Sequence, residues 1–149
     1  MDLLTVEARL EALSAIGAYI REAAAQAGLD SRSAYRLRLA VDEVATNVIV
    51  HGRPLEHSGD DKIVLQADID DGALTVTLED AGPPFDPSEH HAKWEVETLD
   101  KPLEERPIGG LGVFLATKGV DEYQYERVGM RNRSKFIVHR DGATAGGPQ

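Results

Sequence analysis

The stretch RLAVDEVATNVIVHG, residues 38–52, predicts the central helix of the fold and one wall of a site. Apolar side chains such as Val41 and Val48 recur at helical spacing, which marks the face that packs on the core. Glu43 and Asn47 are four residues apart, so they share another face of the same helix. An amide beside a carboxylate suits phosphoryl transfer, because Mg²⁺ prefers oxygen ligands and a carboxylate can accept a hydroxyl proton.

A second motif, LEDAGPPFDP at residues 78–87, follows a predicted strand. Asp80, at the end of that strand, can accept a hydrogen bond from an exocyclic amine such as that of adenine. Gly82 lets the backbone approach a flat ring closely. A third motif, PIGGLGVFLATKG at residues 107–119, places glycines at the start of a predicted helix, where free N–H groups can bind phosphate. The P-loop signature is absent from the sequence.

Each motif taken alone has a simpler interpretation: an exposed polar helix face, an ordinary turn, and a flexible hinge. The three together, in this order along one short chain, predict a site for ATP. The five histidines are scattered along the sequence and do not indicate a metal site of their own.

The length and composition predict one domain over residues 1–141 and a disordered tail over residues 142–149. A net charge of −10 disfavours binding to nucleic acid or to an anionic membrane. The absence of cysteine excludes disulfides and thiol chemistry. The sequence shows neither a secretory signal nor an apolar stretch of membrane-spanning length, so we expect a cytoplasmic protein.

The predicted element order is β-α-α-β-β-lid-α-β-β, an α+β fold with helices on one face of a mixed sheet. The first helix is expected from Glu7 to about Gly28, and Asp71-Gly72 is expected to turn a hairpin. The last two strands are expected around residues 122–127 and 135–140. Residues 86–108 are rich in proline and charge, lack a clear period, and are predicted to form a mobile lid.

These motifs resemble the N, G1 and G2 boxes of the Bergerat-fold (GHKL) ATP-binding superfamily, which includes gyrase, histidine kinases and MutL. Within that superfamily the chain looks like the small anti-sigma-factor serine kinases, the anti-sigma regulatory factor family. The resemblance covers about residues 3–140 and implies a Bergerat-type sandwich that binds ATP and Mg²⁺ under a mobile lid.

The resemblance also implies roles for individual residues. Glu43 matches the general base, Asn47 the Mg²⁺ ligand and Asp80 the adenine-binding carboxylate. The other expected nucleotide contacts are Gly82, Arg106, Gly109, Gly110, Leu111 and Gly112. Many relatives carry a Thr near adenine before the last strand, and here Ser134 is the candidate for that place.

Such proteins phosphorylate a serine of a small anti-anti-sigma (STAS-type) protein, bind a sigma factor, and form homodimers, so the resemblance implies these partners here. Two other functions remain open. The chain could be a nucleotide-binding partner-switch module with little kinase activity and a non-sigma output, or an ATPase domain that acts with other chains. The presence of Glu43 favours a kinase.

Overall fold

The computed structural model describes residues 1–51, 61–84 and 117–140 of the 149-residue chain. The elements in these residues are, in chain order, β1 (Leu4–Glu7), α1 (Ala12–Ala27), α2 (Ser31–His51), β2 (Lys62–Ile69), β3 (Ala73–Asp80), β4 (Glu122–Val128) and β5 (Arg131–His139). The described elements confirm the α+β class that the sequence predicts.

The strands form one sheet in the order β1-β2-β3-β5-β4. Every neighbouring pair of these strands is antiparallel, so the expected mixed sheet is antiparallel throughout the described residues. The connections explain this difference. Two successive helices lie between β1 and β2, and they bring the chain back to the end of the sheet at which β1 finishes, so β2 runs antiparallel to β1. A single crossover helix would leave the chain at the opposite end of the sheet and would give a parallel pair.

Local backbone and side-chain chemistry determines where α1 ends and where α2 begins. Gly28 ends α1 with a left-handed φ of 72°, as the sequence predicts for a residue at this position. Asp30 caps α2, because its Oδ1 accepts the backbone N–H of Ser33 at 2.7 Å. Helix α1 begins at Ala12, later than the predicted Glu7, because Glu7 belongs to the β1 ladder opposite Lys62.

The core lies between the two helices and one face of the sheet. Alternate residues of β3 and β5 are buried on that face, which we call the helix face. The predicted core positions of α2 are all buried there: Leu37, Val41, Val44 and Val48. Helix α2 packs against both β3 and β5, and this packing fixes its position over the middle of the sheet.

Two hairpins set the register of the sheet. The predicted turn between β2 and β3 is present, but Gly72 lacks a positive φ. Asp70 shapes the turn instead, since its Oδ1 accepts the backbone N–H groups of Gly72 and Ala73, each at 2.8 Å. Strands β4 and β5 are joined through Gly129, which has a φ of 60°. Strand β5 therefore begins at Arg131, four residues before the predicted start.

Several sequence predictions fall outside the described residues. They concern the lid at residues 86–108, Arg106, the glycine loop at residues 109–112 and the tail at residues 142–149. The single-domain boundary at residue 141 stays a prediction as well.

Candidate functional site

The site is built around the carboxylate of Asp80, the last residue of β3. Asp80 is 5% exposed and lies on the helix face, in line with the buried Val76 and Leu78. Its Oδ2 accepts the backbone N–H of Gly82 at 2.9 Å, so the side chain closes the turn that follows the strand. Gly82 is buried as well. The two predicted residues of the second motif therefore form one structural unit.

Asn132 on β5 is the direct cross-strand partner of Asp80. It is also 5% exposed. Its Nδ2 donates to Asp80 Oδ2 at 3.2 Å, to the carbonyl oxygen of Gly82 at 3.4 Å and to the carbonyl oxygen of Pro83 at 2.9 Å. One amide group thus ties the carboxylate to the turn that follows it.

Two side chains of β4 contact the oxygen of the Asn132 side-chain amide. The hydroxyl of Tyr125 donates to Asn132 Oδ1. The guanidinium of Arg127 donates to the same oxygen at 3.2 Å and to the carbonyl oxygen of Gly82 at 2.8 Å. We refer to Asp80, Gly82, Tyr125, Arg127 and Asn132 together as the Asp80 cluster.

Two opposing effects determine the pKa of Asp80: the burial of its carboxylate and the polar and charged groups near it. Burial raises the pKa of Asp80 above its ordinary value, because desolvation disfavours the charged form. The hydrogen bonds from Gly82 and Asn132, and the positive charges of Arg131 and Arg127, lower that pKa and offset part of the rise. Both hydrogen bonds from the described residues reach Oδ2, so Oδ1 keeps its capacity to accept a hydrogen bond from a ligand.

Glu43 and Asn47 lie on α2, the helix that covers the face of the sheet carrying Asp80. Both side chains are half-buried, so neither lies on a fully solvated surface. They stand one helical turn apart and flank the buried Val44. Both lie at the edge of the core, and their roles in nucleotide binding stay predictions.

Ser134, the candidate for the threonine of related proteins, is buried on the helix face opposite Leu78. Its Oγ lies 2.6 Å from the hydroxyl oxygen of Tyr123, and one of the two groups donates to the other. Asn132, and not Ser134, is the cross-strand partner of Asp80, so a role for Ser134 near adenine stays a prediction.

Three polar members of the cluster were missed at the sequence level: Tyr125, Arg127 and Asn132. A signal for them was present. The pair Gly129-Met130 is a two-residue turn that pairs Val128 with Arg131 and Arg127 with Asn132. Extending the last strand back to that turn would have set Tyr125 opposite Ser134 and Arg127 opposite Asn132, but the alignment of Asn132 with Asp80 depends on the pairing of β5 with β3.

The chemistry of the cluster fits a nucleotide base better than a metal ion. A buried carboxylate with one oxygen able to accept suits the exocyclic amine of adenine. Among the described residues, no group of three His, Asp or Glu side chains could hold a metal. Asn47 as an Mg²⁺ ligand stays a prediction, in which its amide oxygen would supply one ligand beside phosphate oxygens and water.

Comparison with known proteins places the chain in a family. The chain matches the histidine kinase-like ATPase domain over residues 6–136, and it belongs to that family. No curated protein matches the chain.

Two solved structures share the fold. The RsbU and RsbW domains of Rv1364c from Mycobacterium tuberculosis align over 93% of this chain, with 20% identity and a TM-score of 0.60. The histidine kinase domain of the blue-light activated histidine kinase EL346 from Erythrobacter litoralis aligns over 89%, with 22% identity and a TM-score of 0.52. The chain spans 32% of the first of those chains and 61% of the second.

None of the described helices combines the length and the apolar character needed to cross a membrane.

Proposed function

We propose that this chain is an anti-sigma factor and an ATP-dependent protein-serine kinase that phosphorylates a small STAS-type anti-anti-sigma protein. The observation that carries the proposal is the buried Asp80 carboxylate, held on the face of the sheet that α2 covers with Glu43 and Asn47. Membership of the histidine kinase-like ATPase family supports ATP as the ligand.

The first step of the proposed mechanism is recognition of the base. Asp80 accepts the adenine amine through Oδ1, while Oδ2 remains bonded to Gly82 and Asn132. The Gly82 turn brings the backbone to the edge of the ring. The remaining predicted contacts, Arg106 and the loop at residues 109–112, are proposed to bind the phosphates.

The second step is transfer of the terminal phosphate to a serine hydroxyl. Glu43 accepts the hydroxyl proton while the serine oxygen bonds to the γ-phosphorus and the bond to the β–γ bridging oxygen breaks, which leaves ADP and phosphoserine. Asn47 is proposed to ligate Mg²⁺, which supplies charge neutralisation at the phosphates when it is bound. Both side chains lie on one helix, so a single rigid element sets their spacing.

A phosphoryl-transfer assay with Glu43→Gln tests this assignment. The acceptor is the small partner recovered by pull-down with the wild-type protein. We expect the variant to bind ATP normally and to transfer phosphate about 10²–10⁴ times more slowly, because a general base acts mainly in the transition state. Asp42→Asn, at the neighbouring half-buried carboxylate of α2, is the matched control and should transfer at the wild-type rate.

Transfer by Glu43→Gln at the wild-type rate would contradict the kinase mechanism. Binding of ATP without transfer, in the wild-type protein and both variants, would instead support a nucleotide-binding partner-switch module.

A further inference from the structure

Asn132 and its two partners on β4 form a fixed chain of hydrogen bonds whose direction can be read from chemistry alone. Arg127 can only donate, so the atom of the Asn132 amide that faces it must be the oxygen. The carbonyl oxygens of Gly82 and Pro83 can only accept, so the atom facing them must be the nitrogen. The amide therefore has one allowed orientation, with its N–H₂ group directed at Asp80 Oδ2.

This orientation constrains what Asp80 can offer a ligand. Among the residues that the structure describes, two donors, the Gly82 N–H and the Asn132 amide, converge on Oδ2 and leave Oδ1 for the base. Arg127 adds a positive charge close to the pair, which favours the ionised carboxylate. An ionised Oδ1 can accept from a 6-amino purine, whereas the oxygen of a 6-oxo purine would meet it as a second acceptor.

We propose that the hydrogen-bonded side chains of Asn132, Arg127 and Tyr125 determine the base specificity of the site. They do so by holding Asp80 as a hydrogen-bond acceptor for 6-amino purines. The inference rests on the proposed function, since it assumes that a purine nucleotide binds at Asp80. Asn132 and Arg127 act as positioning residues in this scheme, because they work through the carboxylate and need not touch the base.

The burial of Asp80 and Asn132 makes the discrimination between 6-amino and 6-oxo purines strong. A buried polar group left without a partner costs more than a lost contact at the surface, so a site built to accept one hydrogen bond rejects an analogue that cannot donate it. Asp80 and Asn132 are each only 5% exposed, so water does not readily replace the missing donor.

The test compares the affinities of the full-length protein for ATP and ITP by calorimetry. The two nucleotides share ribose and triphosphate, so the ratio of their affinities isolates the base. We expect the wild type to prefer ATP by about tenfold or more. Asn132→Leu removes the amide that bonds Oδ2, which leaves the buried carboxylate with one donor fewer and favours its protonated form. A protonated Asp80 can donate to a 6-oxo purine, so the ATP preference should fall about tenfold.

A second variant guards against misfolding of the first. Tyr125→Phe combined with Arg127→Met removes two donors to the Asn132 oxygen and the positive charge near Asp80, which favours the protonated carboxylate and should also lower the ATP preference. Arg133→Gln is the matched control, because Arg133 lies on the same strand but bonds Glu79 and Glu126 on the other face of the sheet. Its ratio should equal that of the wild type.

The outcomes separate this inference from the function on which it rests. A wild-type protein that binds neither nucleotide would contradict the proposed ATP site and this inference together. A wild type that binds ATP while both variants keep its ATP-to-ITP ratio, or lose both nucleotides in equal proportion, would overturn the specificity role alone and leave nucleotide binding intact.

Discussion

Asp80 presents the central physical problem of the molecule, a carboxylate inside the protein. Burial disfavours its charge, while the Gly82 N–H, the Asn132 amide and two arginines favour it. The net effect leaves the pKa raised. Such a group costs stability when it is ionised, and a protein retains it where the charge serves a ligand.

The raised pKa of Asp80 predicts how stability depends on pH. The folded protein holds this proton more tightly than the unfolded chain, so the free energy of unfolding falls as pH rises from the ordinary aspartate pKa of about 3.9 through the raised folded value. Asp80→Asn has no ionisable group at this position, so it should not show this fall in the free energy of unfolding. Urea unfolding of both proteins across that pH range should show the variant gaining stability relative to the wild type as pH rises, with a plateau above the folded pKa. A difference that does not change with pH would rule out this account of the carboxylate.

Strands β4 and β5 form the element that assembles the site. Their two-residue connection sets Tyr125 opposite Ser134 and Arg127 opposite Asn132, and β5 in turn sets Asn132 opposite Asp80. The positive φ of Gly129 is part of that connection. A single backbone conformation at the turn thus determines which side chains reach the carboxylate.

Gly129→Ala should lower the free energy of unfolding by about 1–2 kcal/mol, because a side chain disfavours the left-handed conformation. A Cβ at this position would meet no atom within 4 Å, so the cost is conformational and not a clash. Gly129→Asn is the control, since asparagine tolerates this region, and it should cost less. Chemical denaturation measures both. Equal costs for alanine and asparagine would show that the left-handed conformation is not what the turn requires.

The spacing of apolar residues and the local turn chemistry predicted the parts of the fold that depend on neighbouring residues alone. The core face of α2 marked by Val41 and Val48, the end of α1 at Gly28 and the hairpin turn at Asp71-Gly72 all follow from spacing and side-chain chemistry. The Asp80–Gly82 pair was also predicted, because the motif that holds it occurs in order with two others that together indicate an ATP site.

The cross-strand part of the site could not be predicted in the same way. Asn132 is sequentially distant from Asp80, and only the pairing of β3 with β5 brings them together. The start of β5 was misplaced because its first residues, Arg131 to Ser134, alternate between half-buried charged groups and buried polar groups. A stretch without buried apolar residues gives no hydrophobic period to detect.

The net charge of −10 belongs to the whole molecule and bears on the proposed exchange of partners. Under the proposed function, phosphorylation of the docked acceptor adds negative charge at the surface that it shares with this acidic protein. Like-charge repulsion should then weaken the complex and free the kinase for its other partner.

Surface-immobilised kinase should therefore bind the unphosphorylated acceptor more tightly than the phosphorylated one, and the difference should shrink at high salt, which screens exposed charges. The sigma-type partner should compete with the unphosphorylated acceptor. An acceptor with serine replaced by alanine serves as the control that cannot be converted. Equal affinity for the two forms of the acceptor would contradict partner switching and favour constitutive binding.

The central claim is that Asp80 recognises the adenine of ATP, and calorimetry of ATP binding to wild type, Asp80→Asn and Asp71→Asn tests it most directly. Asp71 lies in the exposed β2–β3 turn and controls for the loss of one negative charge. The account predicts that Asp80→Asn binds ATP about 10 to 150 times more weakly, the equivalent of about 1.5–3 kcal/mol for a hydrogen bond to a charged group, while Asp71→Asn binds as the wild type does. Unchanged ATP affinity in Asp80→Asn would contradict the assignment of the site.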